Sequence, residues 1–116
     1  MESTYSNVFR QLMDVIADRK KNPTERSYTA TLFRDGIPAI GKKIIEEAEE
    51  VIEAGTEQEE TRQAHVVHEA SDLIYHLFVL LGYCDITLDR IEAELARRFD
   101  ISGLDEKAAR GGNKAK

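Results

Sequence analysis

No run of apolar residues in this sequence approaches the ~18 that a membrane-spanning helix needs, and no charged-then-apolar leader opens it. The expectation is a soluble, cytoplasmic protein. A single cysteine, Cys84, excludes an intramolecular disulfide and fits a reducing compartment. Because it follows an apolar run, it reads as a small buried hydrophobe rather than a nucleophile. Positive charge is in deficit, with 16 Lys and Arg against 22 Asp and Glu and a net charge of −6, which disfavours a grip on nucleic acid by bare electrostatics. A phosphate-bearing ligand stays open to such a chain if divalent cations lie between ligand and acids. Strand-period alternation, internal repeats and long linkers are also missing. The expectation is one domain over residues 1–116, with an ordered core of about residues 5–100 and a basic C-terminal tail.

Helical signals fill what remains. Hydrophobic residues make up 41% and charged residues 33%, and only two prolines interrupt the chain, a balance that favours a folded helical protein. Val8, Phe9, Leu12, Val15 and Ile16 predict an amphipathic helix from about Asn7 to Lys20, ended by the basic run before Pro23. "SYTATLFRDG" predicts a short helix closed by Gly36, and Pro38 suits the first turn of a third helix running to Ala54. Thr56 and Glu59 read as a capping box for a long helix toward Tyr83, and Thr87 as the cap of a last helix. A turn is expected at Ser102–Gly103. The fold class is all-α, four to five helices.

Acids are the unusual feature. "KKIIEEAEEVIEA" (42–54) carries five glutamates between Glu46 and Glu53. Plotted at about 100° per residue from Ile44, the residues Ile44, Ile45, Ala48, Val51 and Ile52 form an expected core stripe between about −20° and 100°. Glu49 and Glu53, near about 140° and 180°, read as solvated, and Glu46 near about 200° is intermediate. Glu47, Glu50 and Lys43 line one shoulder of the stripe and can face a groove between helices. The fourth helix is apolar on nearly every side from Val66 to Leu81, the pattern of a buried helix, yet it carries His65, Glu69, Asp72 and His76 on one narrow arc. A buried carboxylate needs a cation, a hydrogen-bond network or a proton, and an internal Asp72–His76 ion pair is one bland solution. An antiparallel hairpin of the two helices lets Glu47/Glu50 meet Glu69/Asp72. Four carboxylates form a hard oxygen site suited to Mg²⁺ or Mn²⁺ rather than zinc, which points to metal-dependent phosphate chemistry with no particular substrate.

Glu47-x-x-Glu50, a gap, then Glu69-x-x-Asp72 resembles the metal-binding signature of the MazG-like all-α nucleoside triphosphate pyrophosphohydrolases. "SYTATLFRDGIPAIGKKIIEEAEEVIEA", "HEASDLIYHLFVLL" and "ELARRFDISGLDEKAAR", in that order, resemble the phosphoribosyl-ATP pyrophosphatases of histidine biosynthesis over roughly residues 7–110. The resemblance implies a MazG-like helical bundle that assembles as a homodimer in the cytoplasm. It implies Mg²⁺-dependent hydrolysis of phosphoribosyl-ATP to phosphoribosyl-AMP and pyrophosphate, with Mn²⁺ as a substitute metal. It implies Glu47, Glu50, Glu69 and Asp72 as metal ligands, Glu46 as a base or support for the ligands, and Lys43 beside the phosphates. His76 either bridges Asp72 or touches substrate. By charge alone Arg34, Lys42, Arg97, Arg98, Lys107 and Arg110 are candidates for the rest of the substrate, with Arg97 and Lys107 singled out. The family commonly has smaller residues at Glu49 and alanine at Ser71, positions that lie off the acid stripes. Two alternatives stand beside this reading: a house-cleaning nucleotide pyrophosphatase of the same superfamily, and a non-enzymatic helical interaction protein.

Overall fold

The computed structural model describes residues 7–100. Among them are five α-helices and no strand: α1 Val8–Lys21, α2 Tyr28–Asp35, α3 Ile37–Gly55, α4 Glu59–Tyr83 and α5 Leu88–Phe99. The expected Ser102–Gly103 turn, Lys107, Arg110 and the basic tail lie outside the described residues. Helices α1–α4, through Asp85, form one compact unit, and α5 belongs to a second.

Local chemistry explains the boundaries. Ser27 caps α2, its Oγ accepting a 3.0 Å bond from the Ala30 N–H. Gly36, at φ 82°, ends α2 and begins α3 in a backbone region that only glycine enters cheaply, and Pro38 sits in the first turn of α3 as expected. The capping box is not formed. Thr56 instead donates 2.7 Å backward to the Glu53 carbonyl at the end of α3, and Gln58 is the N-terminal cap residue of α4. Thr87 occupies the cap position of α5 without a side-chain bond. Within α5, Glu94 holds Arg97 and Arg98 at 2.6 and 2.9 Å, and the two guanidiniums hold its carboxyl down at about 2.

Helices α3 and α4 form an antiparallel hairpin. Glu57 meets His65 near the turn, Glu50 lies close to Glu69, and Glu47 faces His76 farther away, so partners run in opposite directions. Ile16, Ile40 and Val79 are fully buried at the centre of the unit. Of the apolar residues expected to seat α1, Ile16 is buried, whereas Val8, Phe9 and Val15 are exposed. Gly82 allows α1 to approach α4: a Cβ there would lie 3.0 Å from Ile16 Cγ2.

Three burial expectations are corrected. The face of α3 buried in this unit is Ile40, Glu47 and Ala54, spaced by seven, so Glu47 lies at its middle rather than on its shoulder. Ile45 and Ile52, expected in the core, are 63% and 68% exposed. The face that packs is rotated from the expected stripe toward Glu47, so that Ile44, Ala48 and Val51 are half-buried while Ile45 and Ile52 turn outward. The long helix α4 is likewise not enclosed: only His76, Phe78 and Val79 are buried, and Val67 and Leu77 are exposed. Cys84 is exposed, because it stands one residue beyond the end of α4.

Lys20 closes that end of α4. Its ammonium donates to the carbonyls of Gly82 (3.1 Å) and Tyr83 (3.0 Å) and to Asp85 Oδ1 (2.9 Å), adding to the Asp85 N–H bond that the Gly82 carbonyl accepts at the helix end. The same ammonium lies 6.0 and 5.8 Å from the centroids of the Phe33 and Tyr83 rings, which stack on each other. Lys20→Met keeps the stem and removes the donors. Allowing for solvent screening at this half-exposed site, the expected cost is about 1–2 kcal/mol, read as a Tm lower by roughly 4–8 °C in a thermal melt.

Candidate metal centre

The hairpin brings three acids together. Glu47, Glu50 and Glu69 each place a carboxylate oxygen within 4.8 Å of the others. Glu47 is buried (6% exposed). Its Oε2 lies 3.8 Å from His76 Nδ1, and its Oε1 is buried with no hydrogen-bond partner. Glu69 repeats the pattern, with Oε2 3.3 Å from His65 Nε2 and Oε1 buried and partnerless. A buried carboxylate oxygen without a donor is costly to fold around. Two of them beside a third carboxylate fit a bound cation, and an all-oxygen donor set fits Mg²⁺ or Mn²⁺.

The flanking basic side chains pair mainly with acids outside the three. His65 Nδ1 lies 2.5 Å from Glu57 Oε2, a contact that raises the imidazole pKa and lowers that of the Glu57 carboxyl. Lys43 pairs with Glu46 at 3.3 Å, and that hydrogen bond holds the ammonium pKa up. Asp72 is not in the group of three. Its Oδ2 lies 3.6 Å from His68 Nε2, one turn along α4 from Glu69. His76 is buried and does not pair with the Asp72 carboxylate, because its Nδ1 donates 3.0 Å to the Asp72 backbone carbonyl. Glu49 and Ser71 are both exposed.

Several residues around the site escaped sequence reasoning. Tyr28, from α2, hydrogen-bonds His76 Nε2 at 3.1 Å, and Tyr75 stacks beside it while hydrogen-bonding Thr29. Burial raises the Tyr28 phenol pKa, and the nearby Lys43 charge opposes that rise. Glu57 lies in the turn before α4, where no periodicity marks it. Tyr28 stands in a quoted motif, but nothing in its spacing directs it toward α4. Of the basic candidates, Arg34 pairs with Asp35 and Arg97 with Glu94, each on its own helix. A separate cavity of about 830 Å³ opens between α1 and α2, lined in part by Arg19, Glu25, Phe33, Arg34 and Tyr83, and holds none of Glu47, Glu50 and Glu69.

Crowding has a measurable consequence. The Glu69 carboxylate beside it raises the Glu50 carboxyl above its usual range of about 4.5. A group raised in the folded state contributes stability below its unfolded pKa and loses it as pH climbs through the folded value. Glu50→Gln removes the repelling charge permanently. In EDTA the variant should therefore melt at higher temperature than wild type at pH 7, with the gap closing below about pH 4.5. Equal melting temperatures at both pH values would contradict this account of the cluster.

The family model described as phosphoribosyl-ATP pyrophosphohydrolase matches residues 9–99. A phosphoribosyl-ATP pyrophosphatase of Rhodopirellula baltica is 49% identical over 104 residues, covering 90% of this chain and 87% of that protein. One from Geotalea daltonii is 46% identical over 104 residues, covering 90% and 95%. One from Pelobacter propionicus is 45% identical over 105 residues, covering 90% and 94%. With the match running from α1 to the end of α5 and taking in every acid of the cluster, the chain belongs to the phosphoribosyl-ATP pyrophosphohydrolase family.

Proposed function

We infer that this chain hydrolyses phosphoribosyl-ATP to phosphoribosyl-AMP and pyrophosphate, a step of histidine biosynthesis, and that it does so with Mg²⁺ at the α3–α4 acids. The substrate follows from family membership and from relatives named for that activity. The observation that carries the metal reading is the pair of buried, partnerless oxygens, Glu47 Oε1 and Glu69 Oε1, beside Glu50.

Glu47, Glu50 and Glu69 would hold the ion, with Asp72 one turn farther along α4. When bound, a divalent cation neutralises phosphate charge and lowers the pKa of its water. The chemistry asked of the chain is displacement at phosphorus. Water oxygen bonds to the phosphorus that carries the pyrophosphate group, the bond from that phosphorus to the bridging oxygen breaks, and pyrophosphate leaves. Glu46 is the carboxylate assigned to take the water proton. Lys43, held 3.3 Å from Glu46, is assigned to the negative charge that develops on phosphate oxygens.

The outer faces of α3 and α4 support a homodimer as the working form. Ile45 and Ile52 are exposed seven residues apart on α3, and Val67 and Leu77 are exposed on α4. Exposed apolar faces of this kind mark association surfaces. No single described helix is long and apolar enough to cross a membrane. An exposed free thiol at Cys84 suits the reducing cytoplasm.

Pyrophosphate release from phosphoribosyl-ATP, with and without Mg²⁺, tests the reading. Glu47→Gln should lower the rate by about 10²–10³-fold while the far-ultraviolet circular dichroism stays unchanged. A canonical deoxynucleoside triphosphate cleaved in preference to phosphoribosyl-ATP would overturn the substrate. Sedimentation should give twice the 13.1 kDa chain mass for wild type, and Ile45→Glu with Ile52→Glu should shift it to monomer.

A further inference from the structure

His76, expected to bridge Asp72 or touch substrate, is a hub to which the chemistry above gives no role. It is 4% exposed and joins three helices. Its Nδ1 donates to the Asp72 carbonyl at 3.0 Å on its own helix α4, and the same nitrogen lies 3.8 Å from Glu47 Oε2 on α3. Its Nε2 meets the Tyr28 hydroxyl of α2 at 3.1 Å. With Nδ1–H given to a carbonyl, Nε2 is the one acceptor of the imidazole in its neutral form, and in that form Tyr28 donates to it. The ring therefore cannot turn over without losing both bonds.

That fixed ring packs its Nδ1 edge 3.8 Å from one oxygen of Glu47, a contact without a hydrogen bond because the Nδ1 proton goes to the Asp72 carbonyl. Oε2 faces the imidazole, and the oxygen left buried without a partner is Oε1. Metal-binding side chains are commonly oriented by such outer partners, whose loss weakens metal binding although they never touch the ion. We propose that Tyr28 and His76 are positioning residues that hold the Glu47 carboxylate so that Oε1, and not Oε2, is presented to the cation. The inference rests on the metal reading above and goes beyond it by adding α2 to the construction of the site.

The fold contains its own control. Two hydroxyl contacts tie α2 to α4, Tyr28 to His76 and Thr29 to Tyr75, and both involve a tyrosine on adjacent, stacked rings. Only the first leads to Glu47. Tyr28→Phe and Tyr75→Phe each delete one hydroxyl and keep the ring, so both remove one tie between α2 and α4. A merely structural role would make them equivalent.

The test is direct Mn²⁺ binding to the full chain without substrate, followed by the electron paramagnetic resonance signal of free Mn²⁺, with thermal melts alongside. Tyr28→Phe should weaken Mn²⁺ binding by about 10-fold, and Tyr75→Phe should stay within about 2-fold of wild type, while both lower Tm by similar amounts. Pyrophosphate release by Tyr28→Phe should need about 10-fold more Mg²⁺ for half-maximal rate. Wild-type affinity in Tyr28→Phe, or equal weakening in both variants, overturns the positioning role and leaves the metal reading intact. Wild type that fails to bind Mn²⁺, or Glu47→Gln that binds it as tightly as wild type, overturns both.

Discussion

Burial of Glu47 between α3 and α4 is the constraint around which the unit is arranged. A carboxylate at 6% exposure, on the same helix face as Ile40 and Ala54, occupies a position where a hydrophobic residue would pack without cost. The fold supplies one imidazole edge to one of its oxygens and nothing to the other. An uncompensated atom at the centre of a helix interface weakens that interface unless a cation completes it. Loss of stability at such a position is the usual mark of a site kept for chemistry.

The surrounding charges divide into two groups. Lys43 takes Glu46, His65 takes Glu57 and one oxygen of Glu69, and His68 takes Asp72. The bases thus engage the rim of the acidic cluster. Its inner oxygens, those of Glu47 and Glu69 that face neither histidine, are left to each other and to Glu50. The arrangement concentrates negative potential at one point of the hairpin.

Much of this was legible in residue order. The 3.6-residue period located the helices, Gly36 and Pro38 marked the corner between α2 and α3, and the i,i+3 acid pairs marked the facing turns of the hairpin. Glu47, Glu50 and Glu69 do meet. What failed was the choice of face. Hydrophobicity alone assigned Ile45 and Ile52 to the core, because a helix wheel records which side is apolar and not which neighbour covers it. Within the unit the covering helix is α4, and it covers Glu47. The Tyr28–His76 contact was illegible for a different reason: it joins α2 to α4 across a long sequence separation, and no local period encodes such a pairing. The Thr56 cap failed because its hydroxyl serves the helix behind it.

Gly36 gives the corner between α2 and α3 a further significance. Its N–H closes α2 on the Leu32 carbonyl at 2.8 Å, and its own carbonyl opens α3 by accepting from Ala39 and Ile40 at 3.0 Å each. One residue therefore terminates one hydrogen-bonded ladder and starts the next, with no spacer to absorb a change in direction. Tyr28 rides on the first ladder and Glu47 on the second. The backbone angle of one glycine, outside the acid cluster, thus sets how the helix that carries the phenol is joined to the helix that carries the carboxylate.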